Sequence, residues 1–292
     1  MLALIAGTGD LPPALLVRLP ERPLVCALQG FAPQITPDIT FRLEHLGSFL
    51  ADLAARGVTR ICMAGAVKRP AIDPAQIDAA TLPLVAGLQA ALAKGDDGTL
   101  RGVIAILENA GFAVVAAHDL APDLLPAAGV LAGRVTPQLR LDAVLGEQTI
   151  AAMGQADIGQ ACLVRLGHVI AREDQAGTDA MIARFAPAGD PLWGSVDLVG
   201  DLLGTAAEWL SGADGVPVDA RGAVLFKAPK PAQDRRADLP VIGPDTARGA
   251  VAAGLSAIVV EAGGVIVLDL PQVIATLDRA GVCFWVRPKG GA

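Results

Sequence analysis

Leu2-Ala3-Leu4-Ile5-Ala6-Gly7-Thr8-Gly9-Asp10-Leu11-Pro12 is the stretch whose reading decides the fold. Its first five residues are an apolar run of strand length, the glycines permit a tight turn, and Pro12 suits the first turn of a helix. The pattern is strand, glycine turn, helix. Outward from it the alternation repeats: Leu24–Leu28 reads as a second strand, 48–56 as a helix with Ser48 as its cap, and Arg60–Ala64 as a third strand. A polar, proline-bearing segment leads from Gly65 to Pro74, then a helix over 84–93, a turn at 94–98, a helix over 99–110 and a strand at 113–117. Strands alternating with helices imply a parallel sheet, so 1–130 is expected to be a Rossmann-like, doubly wound α/β domain.

Proline and glycine recur among few charges between Leu120 and Gln138, which predicts a linker, placed at 131–140. The remainder, 141–292, is expected to be a mixed α/β domain. It opens with a helix over 141–155 and a hairpin of strands 162–165 and 169–172 around Leu166-Gly167-His168. Later strands are expected at 223–227, 257–260, 265–268 and 282–286, and a helix at 196–210.

Composition excludes several classes. The 292 residues carry 23 Lys+Arg against 30 Asp+Glu, a net charge of −7, which argues against general nucleic-acid binding. Hydrophobic residues make up 53% and the mean hydropathy is +0.51, yet no unbroken apolar run reaches the length of a spanning helix. The first ten residues lack the basic flank and long apolar stretch of a signal peptide, so a cytoplasmic protein is expected. Aromatics are 3%, with no tyrosine, leaving Ala, Val, Leu and Ile to fill the core. Cys26, Cys62, Cys162 and Cys283 are far apart in apolar stretches, the setting of buried, reduced thiols.

Several clusters carry candidate chemistry, each with a plain alternative. The turn Gly7-Thr8-Gly9-Asp10 suits a phosphate contact by backbone N–H groups, or is purely structural. An NAD site fits poorly, because Pro12 stands where the third glycine of the dinucleotide fingerprint belongs and Gln29 where its ribose-binding carboxylate does. Lys227-Ala-Pro-Lys230-Pro-Ala-Gln233-Asp234-Arg235-Arg236-Ala-Asp238-Leu-Pro240 follows an apolar strand and sets four cations and two carboxylates close together. Such a loop either binds a diphosphate, with the cations on its oxygens and Asp234 on a divalent ion or a water, or is a solvated basic loop. Glu173-Asp174 and Gly177-Thr178-Asp179 precede a helix over 180–184 and act as helix caps or complete a magnesium site. Asp96-Asp97-Gly98 with Arg101 is a turn and cap, or contacts a polar headgroup. Lys68 and Arg69 leave the third strand on the edge where α/β sheets bind ligands. His45, His118 and His168 show no metal-ligand spacing.

In order along nearly the whole chain, these segments resemble the LpxI family, the UDP-2,3-diacylglucosamine pyrophosphatases of lipid A biosynthesis. The resemblance is carried by Ala6-Gly7-Thr8-Gly9-Asp10-Leu11-Pro12, Ala64-Gly65-Ala66-Val67-Lys68-Arg69-Pro70, Gly95-Asp96-Asp97-Gly98-Thr99-Leu100-Arg101 and Asp157-Ile-Gly159-Gln160. Glu173, Gly177-Thr178-Asp179-Ala180-Met181-Ile182, Lys227 to Asp234 and Asp238-Leu-Pro240-Val-Ile-Gly243 complete the set. Ala232 stands where glycine is expected, and 187–220, with Trp193 and Trp209, looks like an insertion.

The resemblance implies a Mg2+-dependent hydrolase that cleaves the diphosphate of its lipid-linked UDP-sugar in a cleft between two domains. The products would be UMP and 2,3-diacylglucosamine 1-phosphate (lipid X), with water attacking the sugar-side β-phosphate. It makes Asp234 the catalytic carboxylate or a metal ligand, with Gln233 beside it and Lys227, Lys230, Arg235 and Arg236 stabilising charge. Glu173 and Asp179 become further metal candidates. Gly7, Thr8, Gly9, Asp10, Lys68, Arg69, Asp97, Arg101 and Thr178 join Lys230 and Arg236 on the substrate. A place on the cytoplasmic face of the inner membrane and a homodimer are expected. The rival reading is a non-catalytic nucleotide-sugar or lipid-phosphate binding protein.

Overall fold

β1 (Leu2–Ala6) is the middle strand of a five-stranded sheet, because Ala3, Leu4 and Ala6 are small or aliphatic enough to be buried between layers of helices. The computed structural model describes every residue except Lys68, Arg69, Lys94, Asp157, 188–218, Ala232 and 291–292, with the backbone alone at Asp96. After β1 come α1 (Leu11–Leu16), β2 (Leu24–Leu28), β3 (Ile39–Phe41), α2 (Leu46–Ala55) and β4 (Arg60–Ala64). Then follow α3 (Val85–Leu92), α4 (Asp96–Asn109), β5 (Ala113–Val115) and the short α5 (Ala117–Leu120). The sheet order is β3-β2-β1-β4-β5 and every pairing is parallel. One face of the sheet buries Phe41, Phe49, Ile61 and Leu107, and the other Leu4, Leu15, Cys62 and Leu124.

Strand order reverses at β1 and β4, and an open α/β sheet receives ligands in the crevice beyond the carboxyl ends of such strands. The two loops there are zipped together. Gly7 N–H donates to Ala64 O at 2.8 Å, Thr8 N–H to Ala66 O at 2.9 Å, and Ala66 N–H back to Thr8 O at 2.9 Å. A Cβ on Gly7 would lie 2.5 Å from Ala66 O, so the glycine is required for the close approach of the two backbones.

The rest of the chain supplies β6 (Gly129–Ala132), α6 (Pro137–Gln155), β7 (Ala161–Arg165), β8 (His168–Arg172), α7 (Thr178–Ala183) and β9 (Val224–Lys227). It continues with β10 (Val241–Ile242), α8 (Pro244–Ala252), β11 (Ala257–Glu261), β12 (Ile266–Val267), α9 (Leu270–Arg279) and β13 (Cys283–Arg287). A six-stranded mixed sheet runs β6-β13-β11-β9-β7-β8. Its central β13, β11 and β9 are parallel, whereas β6, β7 and β8 pair antiparallel with their neighbours. Val164, Phe226, Val259 and Trp285 contribute to the core on α6.

The chain forms two compact units. The first comprises Met1–Pro126, Pro231–Val241 and Gly263–Leu268; the second Ala127–Lys230, Ile242–Ala262 and Asp269–Ala292. The parallel sheet expected from the alternation is present, and the sheet of the second unit is mixed. Element by element there are differences. The 131–140 stretch, expected as a linker, holds the end of β6 and the start of α6. α6 starts at Pro137, earlier than the expected 141, because the Thr136 hydroxyl accepts the Leu139 N–H and proline sits at a position that needs no donor. α4 likewise starts at Asp96, so 96–98, expected as a turn, is helical, and Asp97 in the first turn suits the positive end of the helix dipole. α7 begins at Thr178 where 180 was expected. β3, α5, β6, β10, α8 and α9 are additional to the expected elements. The expected helix at 196–210, with Trp193 and Trp209, lies outside the described residues.

The hairpin of β7 and β8 is as expected, and its turn carries positive φ at Leu166 (49°) and Gly167 (80°). Buried Asp142 accepts the N–H groups of both residues, at 3.3 and 2.7 Å, which fixes this conformation. All four cysteines are buried free thiols; burial pushes Cys26, Cys62 and Cys162 up to about 12. No described helix is long and apolar enough to cross a membrane.

Candidate active site

In the first unit the site residues gather on two elements, α4 and the loop 233–238. Asp97 lies in the first turn of α4, where its carboxylate pairs with Arg101 one turn on. The other oxygen of Asp97, Oδ1, accepts the backbone N–H of Asp234 at 3.3 Å. Asp234 Oδ1 accepts both the backbone N–H and the Nε of Arg236 at 3.0 Å, and Oδ2 accepts Arg236 Nη2 at 2.8 Å. The remaining Arg236 nitrogen, Nη1, donates to Glu108 of α4 at 2.6 Å. This bidentate grip pulls the Asp234 carboxyl below its usual range, against the opposing effect of burial. Arg236 is in turn held more firmly in its charged form, first by Asp234 and then by Glu108.

The loop is also braced from within. Buried Gln233 donates through Nε2 to the backbone carbonyl and the carboxylate of Asp238, and Ala237 and Asp238 N–H groups return to Asp234 O at 3.4 and 3.3 Å. Arg235 is exposed and donates to Gly263 O at 3.3 Å. A loop whose turns are closed by its own side chains presents its carboxylate in one orientation.

The glycine turn of the same unit, read from the sequence as a phosphate contact or a purely structural turn, spends hydrogen bonds within the chain. The N–H groups of Gly7 and Thr8 are spent on Ala64 and Ala66 carbonyls, and Thr8 Oγ1 donates to Ala66 O at 3.1 Å. Asp10 accepts from Gln34 Nε2 at 2.8 Å, and Gly9 has φ +91° with open space beside it. The turn therefore acts as a backbone clamp between β1 and β4. Lys68 and Arg69, expected beside it, lie outside the described residues.

In the second unit Glu173, Thr178 and Lys227 form a buried chain. Lys227 Nζ donates to Thr178 Oγ1 at 2.7 Å, the hydroxyl donates to Glu173 Oε1 at 2.5 Å, and Gln160 N–H donates to Glu173 Oε2 at 2.5 Å. The cation at the end of β9 and the carboxylate after β8 are thus joined through one hydroxyl, as buried charges must be paired. Gly159, at φ +56°, permits the approach, since a Cβ there would lie 2.4 Å from Glu173 O. Asp179 accepts from Thr246 of α8 at 2.9 Å, and Lys230 is buried.

Gln160 and Asp238 lie in segments that the sequence singled out, whereas Glu108 and Thr246, which also contact these side chains, do not. Of the latter two only Glu108 left a signal, at a helical spacing from Asp97 and Arg101. Among the described residues no three His, Cys, Asp or Glu side chains converge to hold a metal ion. Asp97 and Asp234 are nevertheless neighbouring hard-oxygen donors, and Mg2+ is commonly held by one or two carboxylates together with substrate phosphates. They fit that ion. Both oxygens of Glu173 already accept hydrogen bonds within the chain.

Residues 1–124 match the LpxI N-terminal domain and 127–285 the LpxI C-terminal domain. The chain is 36% identical over 289 residues to the UDP-2,3-diacylglucosamine pyrophosphatase LpxI of Caulobacter vibrioides, an alignment covering 96% of this chain and 95% of that protein.

Proposed function

The chain belongs to the LpxI family, and from that premise we propose that it hydrolyses the diphosphate of UDP-2,3-diacylglucosamine to UMP and 2,3-diacylglucosamine 1-phosphate in lipid A biosynthesis. The observation that carries this reading is the likeness, along 96% of the chain, to a protein named for that activity. The parallel sheet with order β3-β2-β1-β4-β5 is read as Rossmann-like.

Asp234 is the catalytic carboxylate. Kept ionised by Arg236, it orients the attacking water. Gln233 holds the loop that carries it. Lys227, Lys230 and Arg235 neutralise charge on the departing phosphate, an electrostatic effect that is strong where water is excluded. Asp97, Arg101, Arg236 and Thr178 contact the substrate, together with Asp10, Gly9, Lys68 and Arg69; Gly7 and Thr8 shape the turn that carries Gly9 and Asp10. Asp234 and Asp97 would hold Mg2+, with Glu173 and Asp179 as second candidates. When bound, the ion supplies positive charge to the diphosphate oxygens. The lipid nature of the substrate supports a place at the cytoplasmic face of the inner membrane, and a homodimer is the commonest assembly for such an enzyme.

The test is incubation of the full chain with UDP-2,3-diacylglucosamine in Mg2+ or in EDTA, with UMP and the lipid phosphate followed by mass spectrometry. Products that form only with the metal support the proposal. Folded protein that binds the lipid and releases neither product supports a binding protein instead.

A further inference from the structure

We propose that Glu108 is a positioning residue that fixes the Asp234 carboxylate through Arg236, an inference that rests on the assignment of Asp234 above. Asp97, Arg101 and Glu108 recur at spacings of four and seven on α4, so they share one face of the helix along a stripe about 16 Å long. The two ends of that stripe hold the loop. Asp97 takes the backbone N–H of Asp234, and Glu108 takes Nη1 of Arg236 at 2.6 Å.

The need for the second anchor follows from the shape of arginine. Its guanidinium is a rigid planar fork on a flexible stem, so a pair formed with Asp234 alone, only two residues away, leaves fork and carboxylate able to swing together with the loop. The contact to Glu108 ties the same plane to a helix whose Ile104 and Leu107 are almost wholly buried. The helix thereby becomes the fixed reference for the carboxylate. Glu108 and Arg236 are 44% and 39% exposed, so their pairing contributes little to overall stability, and a loss of turnover on breaking it is not a loss of fold.

Glu108→Ala and Glu108→Gln are compared with the parent chain for kcat and KM on UDP-2,3-diacylglucosamine, for thermal unfolding, and for amide hydrogen exchange across 234–238. Glu108→Ala is expected to lower kcat about fivefold with KM within about twofold, the pattern of a lost orientation and not of lost binding. Exchange of the loop amides should quicken while the melting temperature stays at the parental value. Glu108→Gln should restore most of kcat, since its amide oxygen still accepts from Arg236. Parental kcat together with parental loop exchange in Glu108→Ala overturns the inference. A parent chain that releases no UMP overturns the proposed function, and loop exchange then decides the anchoring by itself.

Discussion

Arg236 grips both oxygens of the Asp234 carboxylate, Nε at 3.0 Å from Oδ1 and Nη2 at 2.8 Å from Oδ2. Two parallel charge-assisted hydrogen bonds fix the plane of a carboxylate as well as its charge. The result is a carboxylate that stays ionised below the usual range and is a weaker base for it, which suits a group that holds its negative charge and orients a water at neutral pH.

That relationship has a pH signature. A carboxyl depressed by its partner remains ionised to lower pH, and removing the partner returns it toward the ordinary carboxylate range. In Arg236→Ala the acid limb of the kcat/KM profile is therefore expected to move to higher pH than in the parent. An unmoved acid limb would show that Arg236 does not govern the ionisation of the group responsible.

Glu44 makes one contribution to the pH dependence of stability in the first unit. It is buried, and Arg42 first, then the Asp73 N–H at 3.0 Å, pull its carboxyl from 4.5 to about 2. The folded state binds the ionised form more tightly, so its contribution is complete above about 4.5 and is lost as pH falls toward 2. Glu44→Gln is expected to cost about 1–3 kcal/mol at pH 7, and urea unfolding should show the gap to the parent narrowing at pH 3.

How far the sequence carries depends on the range of the forces involved. Leu2–Ala6, Leu24–Leu28 and Arg60–Ala64 are legible because each buries a short aliphatic run between turn residues. β3 escapes because Ile39-Thr40-Phe41 is too short to show a period, and its partner Cys26–Leu28 supplies the reason for it to be a strand. β6 escapes because glycine and proline surround it, although Val130 and Ala132 pair with Trp285 and Phe284, more than a hundred residues away. The return of Pro231–Val241 and Gly263–Leu268 to the first unit is a long-range fact of the same kind. In the site, the residue types of the 227–238 loop announce charge. The partners of Asp234 depend on which helix face meets the loop, and local spacing does not disclose that.

In the second unit the prediction concerns the hydroxyl shared by Lys227 and Glu173. Thr178→Val keeps the shape of the side chain and removes the group that accepts from one and donates to the other. A cost of about 1–3 kcal/mol in chemical denaturation is expected, with Thr178→Ser restoring most of it. Parental stability in the valine variant would mean that the buried charges are satisfied without this link.

The most direct test of the account is the turnover of Asp234→Asn on UDP-2,3-diacylglucosamine beside the parent chain, read as UMP released under saturating substrate. Asparagine is nearly the same size and keeps an oxygen for Arg236, while the negative charge is gone. The parent is expected to release UMP, and the variant to do so at least about a hundredfold more slowly with its lipid affinity preserved. A variant that turns over at the parental rate would contradict the assignment of Asp234 as the catalytic carboxylate.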